Sequence, residues 1–309
     1  MLRPTARTFG LLMALTGALQ LALHRPQRAS LPAEQFWLQK TFPGERFDGV
    51  MAGDSRLYRG FNPSTIEAQL GGRRLHNFGY SSARLTPAYL DAAKAHLKAQ
   101  QPGGLMVLAV TAHSLSAPKT GPDNPHYDGF AGRHPINVWI QLQSGLIRNV
   151  LWRAALDDPT EALLLARQGE SRVHYHQRFD HRGFVASSTT PRSPSRALPG
   201  YRKTLRASPV SPQRLDALAE WVRTTTRQGV RVVALVPPRP PAMAAIERAI
   251  GGWSEEGVRR RLVASGAQWI DLSWEGLSSY DGSHLDERSA ELASQRLAKK
   301  LAALLERIR

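Results

Sequence analysis

The stretch Val50-Met51-Ala52-Gly53-Asp54-Ser55-Arg56 organises the chain, because an apolar run ends abruptly in Gly-Asp-Ser before a helix-like segment. A buried strand that ends at a glycine allows a sharp turn, so the next hydroxyl projects beyond the carboxyl end of the strand. The following helix directs backbone N–H groups toward an anion that forms beside this hydroxyl. We therefore predict that Ser55 is a nucleophile at the edge of a parallel sheet. A helix-capping role is the alternative for the same residue.

On both sides of this stretch, apolar strands alternate with amphipathic helices. The predicted strands are 48–52, 74–78, 105–111, 230–236 and 268–272. The predicted helices are 64–70, 86–100, 211–228, 254–264 and 286–308. This alternation predicts an α/β fold with three α/β/α layers, a doubly wound five-stranded parallel sheet.

The alternation of strands and helices is interrupted between residues 112 and 209. We predict that this segment is an insertion after the third strand and that it forms a lid or a substrate wall. Within it, residues 116–132 and 172–201 have the composition of loops, and residues 137–167 that of one or two helices.

The N-terminal segment has the pattern of an export signal. Arg3 and Arg7 precede a short uncharged apolar run, and residues 1–24 are interpreted as a signal peptide or an N-terminal membrane anchor. An amphipathic first helix is the alternative. Residues 25–46 are interpreted as a linker with a short helix near 34–40, and residues 47–309 as the main domain. The predicted location is the bacterial cell envelope, anchored in the inner membrane and facing the periplasm or exterior, or secreted.

Composition excludes several classes of site. The chain has 309 residues, a formal charge of +16 and no cysteine, which excludes disulfides, thiol nucleophiles and thiolate zinc sites. Its arginines are scattered rather than gathered in a basic helix, so no nucleic-acid partner is expected. His174, His176, Asp180 and His181 are potential metal ligands, but they fall in a basic loop without a scaffold, so no metal is predicted.

A second polar motif near the C-terminus contains a histidine and an aspartate that could serve a serine nucleophile as base and orienting carboxylate. A serine hydroxyl needs an adjacent base, and histidine serves as a base at physiological pH when a carboxylate orients its ring. Asp281 and His284 are separated by two residues in Asp281-Gly282-Ser283-His284, in the loop before the last predicted helix. Loops at the carboxyl edge of a doubly wound sheet open on the same side, so this pair is predicted to meet Ser55.

Three motifs in this order resemble the SGNH (GDSL-type) hydrolase family over about residues 47–305: Gly53-Asp54-Ser55, Asn77-Phe78-Gly79 and Asp281-Gly282-Ser283-His284-Leu285. The resemblance implies that Ser55 is the nucleophile and that Asp281 and His284 complete the triad. It also implies that the N–H groups of Ser55 and Gly79 form the oxyanion hole.

The chain departs from the family at its third motif, where Gly-x-Asn-Asp is expected and Val110-Thr111-Ala112-His113-Ser114 is found. His113 or Ser114 could donate in place of the missing asparagine. Divergent third motifs are similar to those of envelope members of the family that act on O-acylated polysaccharides. Arg56 and Arg59, just past the nucleophile, could meet an anionic substrate or pair on a helix face.

The sequence therefore predicts a serine esterase or acyltransferase that acts on acyl, in particular acetyl, esters of envelope or extracellular carbohydrate. A small ester is an alternative substrate, and a membrane-bound acyl-transfer protein a possible partner. No cofactor is needed. The alternatives are a catalytically weak or inactive SGNH-like envelope protein that binds glycan or a polysaccharide-assembly partner, and a lipid esterase.

Overall fold

The computed structural model describes residues 31–98, 103–143, 174–180 and 182–306. The chain divides into two compact units, and the larger comprises Leu31–Arg133 and Val173–Arg309. All strands and helices labelled below belong to it. The smaller comprises Met1–Ser30 and His134–Arg172. In its described part, residues 135–143 are helical, where a helix was predicted from residue 137.

Five parallel strands form the central sheet in the order β2-β1-β3-β6-β7. They are β1 (Gly49–Gly53), β2 (Leu75–Gly79), β3 (Leu105–Ala109), β6 (Arg231–Leu235) and β7 (Gln268–Ile270). Each predicted strand is present to within a few residues, and the predicted five-stranded parallel sheet is confirmed. The residues of β1, β2 and β3 are buried throughout, which explains why β1 and β3 are continuously apolar rather than alternating. The polar residues of β2, His76 and Asn77, are buried with hydrogen-bond partners.

Helices cover both faces of this sheet. They are α1 (Ala33–Thr41), α2 (Ser55–Gly60), α3 (Pro63–Glu67), α4 (Pro87–Lys94), α5 (Pro125–Ala131), α6 (Leu198–Ala207), α7 (Pro212–Arg227), α8 (Pro241–Ala249), α9 (Glu255–Ala264) and α10 (Glu287–Glu306). Val50 and Ala52 pack into one apolar cluster, which includes Trp221 of α7. Met51 packs into a second cluster with Leu297 of α10. Because successive strand residues face opposite sides, the two clusters lie on opposite faces of the sheet. The three α/β/α layers are therefore confirmed.

The prediction of loops at 116–132 and 172–201 is wrong in part, because α5, both strands of an antiparallel hairpin and the start of α6 lie there. Strands β4 (His174–Phe179) and β5 (Val185–Thr190) form the hairpin. The helices α5, α6 and α8 each carry a proline in their first turn. A proline at that position loses no helical hydrogen bond. The helix predicted over 86–100 ends instead at Lys94, and Leu97 then forms an isolated bridge with Phe47.

The turn of the hairpin packs on the outer edge of β2. The N–H of Asn77 donates to the carbonyl of Arg182 at 3.0 Å. Gly183 adopts φ +86, and a Cβ there would lie 2.2 Å from the carbonyl oxygen of Asn77. Only glycine fits this position, so the inserted segment is held against the sheet at a defined place.

Within the described residues, no helix is long and apolar enough to cross a membrane. The predicted signal or anchor, residues 1–24, lies outside the described residues. The short helix predicted near 34–40 is α1, which packs Phe36 and Trp37 into the core.

Candidate active site

Ser55 lies where β1 ends and α2 begins. Asp54 caps α2 by accepting the N–H of Arg56 at 2.9 Å, and its other carboxylate oxygen accepts the hydroxyl of Thr111 at 2.6 Å. A Cβ at Gly53 would lie 2.9 Å from the Cβ of Ala109, so glycine allows the neighbouring strand to approach here. Asp54, rather than Ser55, is thus the helix cap, and the serine hydroxyl remains available for another partner.

A second side chain holds α2 against the sheet. The amide group of Asn77 donates to the carbonyls of Leu57 and Phe61, at 3.2 and 2.9 Å, near the end of α2. Its carbonyl oxygen accepts the N–H of Gly79 at 3.1 Å. The second motif therefore positions the helix that starts at Ser55.

Asp281 organises the loop that carries His284. One carboxylate oxygen accepts the backbone N–H groups of Ser283 and His284, both at 2.8 Å. The other oxygen lies 2.7 Å from Nδ1 of His284. Gly282 adopts φ +90, and a Cβ there would lie 2.2 Å from the carbonyl oxygen of Pro194. The loop therefore depends on glycine at 282 and on a carboxylate at 281.

The two distant loops meet. Nε2 of His284 lies 2.8 Å from Oγ of Ser55, so the three side chains form one continuous hydrogen-bonded chain. The loop can reach Ser55 because α10, which follows it, packs against α2 and α3. Ser55 and His284 are each 8% exposed, which leaves the hydroxyl and the ring in a nearly dry setting.

Electrostatics keep the ring neutral and the carboxylate charged. Burial lowers the pKa of His284, its hydrogen bond to Asp281 opposes this, and the positive charge of Arg59 adds to the lowering. The net pKa lies below the ordinary value, so the ring is an acceptor at neutral pH. Burial works to raise the pKa of Asp281, but hydrogen bonds from His284 and from backbone N–H groups outweigh it and lower the pKa.

Two of the predicted oxyanion donors are already engaged in other hydrogen bonds. The N–H of Gly79 donates to the side chain of Asn77 at 3.1 Å, and Gly79 does not line the cleft beside Ser55. The N–H of Ser114 donates to the hydroxyl of Thr111 at 3.0 Å, and its own hydroxyl donates to the carbonyl of Thr111 at 3.0 Å. Gly79 and Ser114 therefore stabilise the backbone of their own segments. The prediction that they donate to an oxyanion is corrected accordingly.

The better-placed backbone donor is Ser82, which sequence reasoning missed. It has φ 55, the one positive value on a residue other than glycine in the described chain. It occupies a turn closed by the N–H of Ala83 on the carbonyl of Tyr80, and it lines the same cleft as Ser55. Among described residues, neither the N–H of Ser82 nor that of Ser55 has an acceptor. A serine at a left-handed position gives no sequence signal, whereas a glycine would have given one.

His113 reaches the cleft as predicted, but its role there differs. Its Nε2 lies 3.3 Å from the carbonyl oxygen of Ser82, which can only accept, so Nε2 carries the proton. Burial lowers the pKa of His113 and keeps the ring neutral. This side chain therefore supports the turn at Ser82 instead of pointing a free donor at the nucleophile.

The cleft has a volume of about 270 Å³. Its lining comprises Ser55, Arg59, Ser81, Ser82, His113, Ala197, Gly200, Tyr201, Thr204 and His284. Helix α6 supplies one wall, so the predicted insertion does contribute to the surroundings of Ser55.

The two arginines after the nucleophile differ in their partners. Arg56 is 3% exposed and pairs with Glu247, which is fully buried, at 2.5 Å. Glu247 also pairs with Arg239 at 2.5 Å, so Arg56 belongs to an internal ion-pair network. Arg59 instead lines the cleft.

The residues considered as metal ligands do not assemble. Within the described residues, no group of three or more histidine, aspartate or glutamate side chains could hold a metal ion. His174 and His176 lie on β4, Asp180 in the turn after it, and His181 outside the described residues.

The fold and site define an α/β protein with a serine, a histidine and an aspartate in hydrogen-bond contact at the carboxyl edge of a parallel sheet. No protein-family model and no curated protein matches the chain. Solved structures resemble it only distantly.

Three of the similar structures are the following. Est24, a carbohydrate acetylesterase from Sinorhizobium meliloti, has 13% identity and a TM-score of 0.38 over 84% of this chain and 100% of its own. A Streptococcus pneumonia protein described as a platelet activating factor has 12% identity and a TM-score of 0.38 over 96% and 99%. A Desulfitobacterium hafniense DCB-2 protein assigned to the lipolytic G-D-S-L family has 11% identity and a TM-score of 0.36 over 82% and 98%.

Proposed function

We propose that this chain is a serine hydrolase that acts on acyl esters, as an esterase or as an acyltransferase. The observation that carries the proposal is the continuous contact from Oγ of Ser55 through the ring of His284 to the carboxylate of Asp281. A serine, a base and an orienting carboxylate in this geometry are the parts needed for nucleophilic acyl transfer.

The reaction follows from the positions of the protons. Nε2 of His284 takes the hydroxyl proton as Oγ of Ser55 attacks the ester carbonyl, while Asp281 holds Nδ1–H and stabilises the imidazolium. The tetrahedral intermediate then collapses, and His284 returns the proton to the departing alcohol. Water, in a hydrolase, or a sugar hydroxyl, in a transferase, attacks the acyl-enzyme by the same steps in reverse.

The oxyanion of the intermediate would bind the backbone N–H groups of Ser55 and Ser82. Both line the cleft and neither has an acceptor among the described residues. The asparagine donor of the resembled family has no counterpart, and loss of one donor costs about 10²–10³ in rate in a well-studied hydrolase. We therefore expect a slow enzyme on simple esters.

We propose a short acyl group on a polar alcohol, such as an acetylated carbohydrate, as the substrate. The cleft is small, and serine, threonine, alanine and glycine provide much of its wall. A lipid esterase would need a long apolar channel for a fatty acyl chain. We also propose, from the N-terminal sequence, that the protein acts in the bacterial envelope.

A second candidate is a non-catalytic protein that uses the cleft to bind glycan. The loop after β3 favours it, because Ser114 is engaged with Thr111 and, among the residues that the structure describes, no side-chain donor takes the place of the missing asparagine.

Hydrolysis of p-nitrophenyl acetate by the full chain and by Ser55→Ala separates the two candidates. The proposal expects activity that Ser55→Ala abolishes, together with labelling of Ser55 by a fluorophosphonate, detected by peptide mass spectrometry. Equal rates for the two proteins and an unlabelled Ser55 would instead support the binding protein.

A further inference from the structure

Arg59 is a cation placed beside the proposed nucleophile. It follows Ser55 by four residues on α2, and both side chains line the same cleft. Residues four apart on a helix share a face, and helical side chains lean toward the N-terminus of their helix. The side chain of Arg59 therefore lies on the same side of α2 as Ser55 and borders the same cleft. Its charge also reaches His284, whose pKa it helps to lower.

Neutral groups surround this guanidinium. Nη1 donates to the hydroxyl of Tyr280 at 3.0 Å. The rings of Tyr58 and Tyr175 have their centroids 5.2 and 5.4 Å from the central carbon. Its Nε is buried and has no hydrogen-bond partner among the described residues. Within the same part of the chain no carboxylate forms an ion pair with Arg59.

The nearby Arg56 is a buried arginine and differs from Arg59, because its charge is paired with a carboxylate. Arg56 pairs with the buried carboxylate of Glu247 at 2.5 Å, and Arg239 pairs with the same group. A cation held in a partly dry cleft without such a partner is costly unless an anion joins it. The rings of Tyr58 and Tyr175 lie beside the Arg59 guanidinium. The planar fork of a guanidinium matches carboxylate and phosphate oxygens.

We propose that Arg59 binds an anionic group, a carboxylate or a phosphate, that the substrate carries beside its acyl ester. This inference rests on the proposed function of the same cleft, and it narrows the substrate from acyl esters in general to acidic ones. Arg59 would act as a specificity residue, since the proton transfers need only Ser55, His284 and Asp281.

Matched ester pairs test this directly. The first pair is p-nitrophenyl hydrogen succinate and p-nitrophenyl butyrate, which have four-carbon acyl chains and differ in a terminal carboxylate. The second is p-acetoxybenzoate and its methyl ester, which place the charge on the alcohol side. We expect kcat/KM to favour the anionic member of at least one pair by about tenfold or more, the strength of a charge-assisted hydrogen bond.

Three variants distinguish anion binding by Arg59 from a structural role of Arg59 and from a general effect of the positive charge of the protein. Arg59→Gln should bring the anionic-to-neutral ratio close to unity, mainly through KM, and Arg59→Lys should keep part of the preference. Arg260→Gln removes an arginine whose side chain is 77% exposed on α9, and it should leave the ratio as in the wild type. An equal ratio in the wild type and Arg59→Gln, or equal losses in Arg59→Gln and Arg260→Gln, would overturn the proposal.

Binding to a catalytically silenced chain distinguishes failure of this inference from failure of the proposed function. Ser55→Ala is titrated calorimetrically with succinate, inorganic phosphate and neutral succinamide, alone and combined with Arg59→Gln. Binding of succinate or phosphate that requires Arg59 supports the anion subsite even if the wild type hydrolyses no ester, and the stronger of the two identifies the anion class. Absence of Arg59-dependent binding of either anion overturns it, whatever the esterase assay shows.

Discussion

Replacing Asp281 with asparagine tests whether this carboxylate sets which ring nitrogen of His284 carries the proton. One oxygen of Asp281 accepts two backbone N–H groups at 2.8 Å, and the other faces Nδ1 of His284 at 2.7 Å. Asparagine can keep the first set with its carbonyl oxygen, so the loop should persist. Its amide N–H₂ then faces Nδ1, which must become an acceptor.

The proton of the ring therefore moves to Nε2, the nitrogen that lies 2.8 Å from Oγ of Ser55. A protonated Nε2 cannot take the hydroxyl proton. The equivalent change in a well-studied serine protease lowers kcat by about 10⁴, which corresponds to about 5.4 kcal/mol of transition-state stabilisation. We expect a loss of this order in Asp281→Asn.

The assay is hydrolysis of p-nitrophenyl acetate, with the rate of Ser55→Ala subtracted and thermal unfolding measured in parallel. Asp286→Asn is the matched control, because Asp286 bonds Ser278 and Ser289 in the same region without touching His284. It should cost stability but keep activity. If Asp281→Asn retained more than about a tenth of wild-type kcat/KM, the assigned role of this carboxylate would be refuted.

Substitutions at three further positions have expected outcomes that follow from the same contacts. Ser82→Gly should raise the free energy of unfolding by about 1 kcal/mol, because it relieves a left-handed residue. Ser82→Val should lower both this free energy and kcat, and a full-rate valine variant would exclude Ser82 from the oxyanion site. Glu247→Gln should destabilise the fold by about 3–5 kcal/mol in urea titration, since it leaves Arg56 buried without its counter-charge; a change below about 1 kcal/mol would contradict this. Arg59→Gln should shift the acid limb of kcat/KM to higher pH, because loss of a positive neighbour raises the pKa of His284; an unchanged or downward shift would contradict the electrostatics.

Apolar strands and long amphipathic helices were predictable, whereas polar strands and proline-bearing helices were not. Strands β1, β3 and β6 are short apolar runs, and the helices α7 and α10 extend over enough residues for helical periodicity to show. The hairpin β4–β5 and helix α6 were missed, because β4 is polar and the first turn of α6 contains Pro199.

For the candidate site, the sequence identified Ser55, Asp281 and His284 as residues expected to meet, and the structure places them in contact. It misplaced one of the two backbone donors, because it named Gly79 beside Ser55. Gly79 was chosen because a glycine is visible in a motif, yet its N–H is taken by Asn77. Ser82 was not predicted, because the turn imposes its left-handed backbone and a serine side chain does not indicate that conformation in the sequence.

The sequence by itself therefore determined the strand–helix alternation, the loops that bear the reactive side chains and the absence of thiol chemistry. Those properties are local, since they depend on residue type and on periods of two to four residues. Only the tertiary structure decided which N–H groups lack acceptors, which arginine lacks a counter-charge and how α10 brings His284 to Ser55. Hydrogen bonds and ion pairs join residues that are distant in the chain, such as His284 and Ser55, which are 229 positions apart, so their partners are fixed by folding and not by sequence neighbours.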